Sequence, residues 1–193
     1  MNNPTDRAIF QNAWVVKDIE ESCMRWVNEM GIGPFFINEY PYETFDEVTY
    51  RGEKSDLSMK VAIAQAGNIQ IELIEPISPV CAYRDSVPAG ETGFHHMCVW
   101  TNDFDSDLLY MENLGYQAAN TGKIGNVAFA YFDARPLMGC MLEVVTYNED
   151  TADRFRSIAA AAENWEGGDP VSYTHLRAHE TLRYLVCRLL LEK

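Results

Sequence analysis

The sequence has no apolar run of the ~18 residues that a membrane-crossing helix needs, and Met1 to Arg7 lacks the basic-then-apolar build of a signal peptide. A soluble, cytoplasmic protein is therefore expected. Cations are scarce: 15 Lys and Arg stand against 29 Asp and Glu, a formal net charge of −14. A surface this negative repels phosphate backbones and anionic membranes, so neither nucleic acid nor membrane is an expected partner. The five cysteines, Cys23, Cys81, Cys98, Cys140 and Cys187, are odd in number, widely spaced and never in a C-x-x-C pair. That pattern indicates neither a zinc ribbon nor a disulfide framework, and leaves reduced, mostly buried thiols. What the chain does have is apolar content, 47% of residues, enough to bury one core or two small modules packed together.

Only four histidines are present, and two of them lie in a C-terminal segment of doubtful origin. Val171 to Thr181 resembles one reading frame of a transposase-type sequencing adapter. Leu185 to Lys193 resembles the same adapter's distal arm running into an A-tract, and an index between the arms keeps the frame. Residues 171–193 are therefore read as an adapter-derived artefact and set aside, as a tag would be. This removes His175 and His179, whose i, i+4 spacing otherwise suggests a helical metal pair. It also removes four basic and two acidic residues, which takes the net charge from −14 to −16.

The remaining pair, His95 and His96, lies in the apolar run Gly93-Phe94-His95-His96-Met97-Cys98-Val99-Trp100, which reads as a buried strand. The chain before it follows a clear order after a short tail, residues 1–8. Ile9 to Val16 is β-prone, Asp18 is a helix cap, and Ile19, Cys23, Trp26, Val27 and Met30 recur at helical spacing until Gly31. Phe35 to Tyr50 reads as a strand and a long loop. Leu57 to Ala64 and Ile69 to Glu75 read as strands joined at Gln65-Ala66-Gly67-Asn68.

After a linker over residues 77–92, the order restarts. The histidine strand is followed by the cap Asp103, a helical face of Phe104, Leu108, Met111 and Leu114, and Gly115, and then by strands over 125–132 and 139–147. Asp18 follows Gln11 by seven residues, as Asp103 follows His96. Each half closes on a carboxylate among aliphatics, Ile71-Glu72-Leu73-Ile74 and Leu142-Glu143-Val144-Val145. Gln11 thus matches His96, and Glu72 matches Glu143. On strands of period two, such glutamates can simply face solvent. Their matched positions beside a matched Gln and His point instead to ligands, because a charge facing a core needs a partner. A final helix over Thr151 to Trp165, within residues 148–170, is expected to pack on the outside.

Two βαβββ modules, residues 9–76 and 93–147, with these paired positions resemble the vicinal oxygen chelate superfamily, in its glyoxalase-like branch near methylmalonyl-CoA epimerase. The resemblance implies an α+β fold in which the modules form a cupped mixed sheet, with the C-terminal helix added. It implies one divalent metal ion (Mg, Mn, Co, Ni, Fe or Zn) held by Gln11, Glu72, His96 and Glu143. His95, as a strand neighbour of His96, is expected to point to the opposite face. The superfamily's chemistry implies a metal-dependent isomerase, epimerase or lyase that stabilises the enolate of a small carbonyl or thioester compound, with Glu143 or Glu72 as catalytic base, and a homodimer.

Two departures bear on that reading. Many relatives carry histidine at the position of Gln11. Where epimerising relatives have a further catalytic carboxylate, this chain has Lys60. A metal-free binding protein of the bleomycin-resistance type and an extradiol-type Fe(II) dioxygenase stand as alternatives. The second is disfavoured by a single imidazole, since oxygen activation on iron normally uses two histidines and a carboxylate. Trp14, Phe35, Phe36, Trp100 and Tyr131 are candidate pocket aromatics, and Tyr83-Arg84-Asp85 a candidate cation for an anionic substrate.

Overall fold

The β-prone run at the N-terminus forms strand β1 (Ile9–Val15), and Asp18 then starts helix α1 (Ile19–Met30) by accepting a hydrogen bond from the Glu21 N–H at 2.8 Å. Gly31 ends the helix in the left-handed conformation, φ 67°, which costs glycine little. The computed structural model describes residues 7–174, and in it strands β2 (Phe35–Tyr40), β3 (Glu47–Tyr50), β4 (Glu53–Lys54), β5 (Met59–Ala66) and β6 (Ile69–Pro76) complete the first half. A short helix, α2 (Ala82–Ser86), stands where a bare linker was expected. The second half runs β7 (Gly93–Thr101), α3 (Phe104–Asn113), β8 (Ala118–Ile124), β9 (Val127–Phe132), α4 (Arg135–Met138) and β10 (Met141–Thr146). Helix α5 (Glu149–Ala162) and strand β11 (Val171–Tyr173) follow.

All the strands join one mixed sheet in the order β11-β2-β5-β6-β1-β7-β10-β9-β8-β3-β4. The halves β2-β5-β6-β1 and β7-β10-β9-β8 are mirror arrangements meeting at the antiparallel β1·β7 seam. In each half the first strand pairs in parallel with the last, β1 with β6 and β7 with β10. This is an α+β fold of two βαβββ modules forming a curved mixed sheet. Helix α1 covers the outer face of the first half through Ile19 and Cys23, packed on Phe35, Ile37, Ala62 and Leu73. Helix α3 does the same for the second through Met111, against Val99, Ala130, Phe132 and Val144.

Three elements depart from expectation. The stretch 41–58 is not only a loop: β3 crosses to the far edge of the sheet and pairs with β8, Glu47 opposite Lys123 and Thr49 opposite Thr121, so a piece of the first half closes the cup on the second. Strand β8 itself is mostly polar or small, Ala-Ala-Asn-Thr-Gly-Lys-Ile, and carries no alternation that reveals it in sequence. Helix α5 does not pack on the outside. Its Thr151, Arg154, Phe155 and Ile158 share one face at i, i+3, i+4 and i+7, and this face lies over the concave side of the sheet.

Strand β11 is formed by the first residues of the adapter-like segment. It pairs in parallel with β2 through backbone groups, Val171 opposite Phe35, a pairing that asks little of side-chain identity. Residues 175–193, with His175, His179 and Cys187, lie outside the described residues. The other four cysteines are free and buried.

Candidate metal centre

The concave face holds a cavity of about 240 Å³. Its walls are largely aromatic and apolar, with Gln11, Glu72 and Glu143 among the few polar side chains. The seam strands and their parallel partners put these groups there. Glu72 lies on β6 opposite Ala13, Ala13 lies opposite His96 on β7, and Met141, two residues before Glu143, lies beside His96 from β10. Consequently one ligand atom each from Glu72, His96 and Glu143 come within 4.8 Å of one another.

His96 Nε2 is 3.0 Å from a Glu143 oxygen and 3.3 Å from a Glu72 oxygen, and the His96 side chain is wholly buried. Neither contact is aligned as a hydrogen bond: Glu72 Oε2 and His96 Nε2 are both buried without a partner. Such orphans are costly, of the order of 1–3 kcal/mol each, and a cation between them removes the cost. Two carboxylates and one neutral imidazole also balance the charge of a divalent ion, so the donor set fits one. Gln11 shares the cavity wall. Its amide nitrogen donates to Gln70 Oε1 at 2.5 Å, which leaves the amide oxygen as the uncommitted end.

The expectation for His95 is corrected. Across the seam Ala13 faces His96 but Trp14 faces Phe94, so His95 is an extra residue, a β-bulge that breaks the alternation. Both imidazoles turn to the same buried side, with Nδ1 to Nδ1 at 2.9 Å. His95 Nε2 lies 3.1 Å from the Ala82 carbonyl, which can only accept. With both rings neutral, His95 therefore donates from Nε2 to Ala82, His96 donates from Nδ1 to His95, and the lone pair of His96 Nε2 is left for the carboxylate side.

Without an ion, the two carboxylates draw a proton onto His96 Nε2 in the place a cation would take, while His95 stays neutral. Burial pushes His95 down to about 3, with the neighbouring His96 adding to the effect. Burial also acts downward on His96, but the Glu143 and Glu72 carboxylates outweigh it and raise it to about 9. Burial raises the Glu72 carboxyl above the ordinary range. It acts the same way on Glu143, but the charge and contacts of His96, with Cys98 and Tyr131 alongside, bring that carboxyl below its usual value.

A family model described as Glyoxalase/Bleomycin resistance protein/Dioxygenase superfamily matches residues 10–131. The chain belongs to that superfamily. Among solved structures, a hypothetical protein from Bacillus halodurans C-125 is similar at TM-score 0.56 and 16% identity, over 75% of this chain and 96% of that one. Methylmalonyl-CoA epimerase from Mycobacterium tuberculosis is similar at TM-score 0.54 and 12% identity, over 79% and 97%. At these identities the likeness speaks for the fold. A comparison with curated proteins gives no match.

Within this superfamily fold, the remaining candidates separate. Trp100 and Tyr131 line the cavity, whereas Phe35 is buried beneath α1 and Trp14 packs edge-on against Trp26 and Phe94. Phe36 packs against the inner core without lining the cavity. Tyr83 reaches the cavity, but Arg84 is spent on the carbonyls of Pro76, Val87 and Pro88, and Asp85 on Tyr50 and Arg51. Lys60 lies between Glu39 and Glu75 in the sheet, while its neighbours Met59 and Val61 face the cavity. Among the described residues the carboxylates of the lining are Glu72 and Glu143 alone.

Lining residues that the sequence did not suggest include Phe10, Tyr40, Phe45, Phe129 and the α5 side chains Thr151, Arg154 and Phe155. The only available signal was the helical spacing on α5.

Proposed function

We propose that the protein is a metal-dependent isomerase, epimerase or lyase of the glyoxalase-like type. It acts on a small carbonyl compound, with one divalent ion held by Gln11, Glu72, His96 and Glu143. The observation that carries this is the pair of buried, unpartnered atoms, His96 Nε2 and Glu72 Oε2, converging with Glu143 at the wall of an apolar cavity. A cation bound there supplies Lewis-acid stabilisation of an oxyanion that develops beside a carbonyl.

Glu72 is the favoured base. Its Oε2 is buried at the site without a hydrogen-bond partner and lies 3.3 Å from His96 Nε2, whereas Glu143 sits closer to the imidazole at 3.0 Å. His95 keeps the His96 lone pair turned toward the carboxylates. The aromatic walls exclude water, which strengthens each of these electrostatic contacts. Two copies of the chain are expected to form a homodimer.

Metal analysis of protein purified without added ions tests the reading. Close to one divalent ion per chain, or stoichiometric uptake of Mn²⁺ or Co²⁺, is expected, together with solvent-deuterium exchange into a bound carbonyl compound that is lost in Glu72→Gln. Absence of both metal and uptake points to the second reading, a metal-free binding protein. That alternative is favoured by the apolar lining and by the lack of any further carboxylate in it among the described residues. The dioxygenase reading has one imidazole rather than two beside the carboxylates among the described residues.

A further inference from the structure

The cavity that meets Glu72 and Glu143 at its polar end is roofed by α5, and the roof carries a cation. Among the described residues Arg154 is the one positively charged member of the lining, whose other charged members are the two carboxylates. Its partners are neutral: Nη1 lies 3.5 Å from the Tyr40 hydroxyl, and Nη2 donates to the Asn38 amide oxygen at 2.8 Å when that amide is oriented to satisfy both of its atoms. No carboxylate among the described residues is within ion-pair distance of it, although Arg25, Arg51, Arg135 and Arg156 are all paired with one. In a chain with nearly twice as many acids as bases, a cation left without an acidic partner at a cavity mouth is available to an anion from outside. Arg154 lines the same cavity as Glu72 and Glu143, so it shares the space of the candidate metal centre.

The rest of the lining sets the shape of what that anion belongs to. Phe10 stacks face to face on Trp100, centroids 4.3 Å apart, and Phe155 closes over both at 6.1 and 5.7 Å. Phe45, Phe129 and Tyr131 continue the wall on the other side. At about 240 Å³ the space is below the ~300–1,000 Å³ of pockets that enclose drug-sized ligands, a size that suits a single ring within the cup.

We infer that this cavity takes a small aromatic acid, with its ring between the Phe10–Trp100–Phe155 group and Phe129, and its carboxylate on the Arg154 guanidinium beside Tyr40. Arg154 is thereby the residue that determines which carbonyl compounds are accepted. This rests on reading the Glu72, His96 and Glu143 cluster and the α5 roof as one substrate site.

The test is calorimetric titration of the full chain with 3-phenylpropionate and its neutral counterpart 3-phenylpropionamide, for the wild type, Arg154→Lys and Arg154→Gln, alongside Mn²⁺ uptake. The wild type is expected to prefer the acid at least about tenfold, as for a hydrogen bond between charged groups. Arg154→Gln erases the preference, and Arg154→Lys keeps part of it because the charge stays but the planar fork is lost. Circular dichroism controls for folding, and Arg154→Lys carries the comparison should Arg154→Gln lose its fold. Equal binding of acid and amide by the wild type, a preference that survives Arg154→Gln, or no binding of either compound overturns the inference. Mn²⁺ uptake without acid preference overturns it and leaves the metal-dependent reading standing. Acid preference without Mn²⁺ uptake supports Arg154 as the anchor and removes the metal instead.

Discussion

Each half of the sheet brings its first and last strands to the cup, and each interrupts its first strand with a bulge. In β1 the extra residue is Phe10, just before Gln11; in β7 it is His95, just before His96. The same backbone device serves two ends. Phe10 turns into the cavity and stacks on Trp100 beneath α5, whereas His95 turns to the ring nitrogen of His96 and links it to the Ala82 carbonyl. Gln11 leans on Gln70, an amide on an amide, while His96 is held by a second imidazole. A duplicated fold can thus keep its symmetry in the backbone and put its matched bulges to different uses, an aromatic wall at Phe10 in the first half and an imidazole pair at His95 in the second.

The comparison breaks most readily at His96. Replacing it with Ala removes the one imidazole of the donor set and leaves two carboxylates facing each other, and metal affinity is expected to fall about 10³-fold, the loss of a nitrogen donor counted at about 4 kcal/mol. Competition titration against a coloured chelator measures this; an unchanged affinity removes His96 from the site. His95→Ala takes away only the group that orients His96, and outer-shell losses of this kind cost ~10–100-fold. Phe10→Ala, at the matching bulge, is expected to leave metal uptake within about twofold because Phe10 does not touch the donor cluster. Equal effects at the two bulges contradict the division of labour.

Gln11→Ala should cost about tenfold in metal affinity, one neutral donor's worth at ~1.4 kcal/mol, and Gln11→His should raise it by adding a second imidazole. A Gln11→Ala loss as large as that at His96 means the amide and the imidazole at the matched positions are equal donors. The smallest differences lie at the helix caps. Asp18→Ala and Asp103→Ala each remove a side-chain acceptor, from Glu21 N at 2.8 Å and Ser106 N at 3.2 Å, and each is expected to cost ~1 kcal/mol of stability in urea unfolding. If neither cap matters, the outer helices are held by their apolar faces alone.

Much of the site was legible because repetition is written in spacing. The equal offsets from Gln11 to Asp18 and from His96 to Asp103, and the two Glu strands, relate residues far apart in the chain to equivalent places in the fold. Period-two alternation, applied to Gly93–Thr101, misplaced His95, because a bulge is a property of the strand pair and leaves no mark in one strand alone. The hairpin β3–β4 and strand β8 were illegible for a related reason: short polar segments become strands only when a partner from the other half lies alongside.

The amino-acid sequence alone determined the module order, the helix caps and stops, and the four matched positions Gln11, Glu72, His96 and Glu143, since each depends on local propensity or on spacing along the chain. Only the tertiary structure decided that His95 orients His96, that Arg84 is consumed by carbonyls, and that Arg154 hangs from α5 over the cavity. These depend on which surfaces meet. A helix sequence states which of its faces is apolar, but the rest of the molecule selects what that face covers.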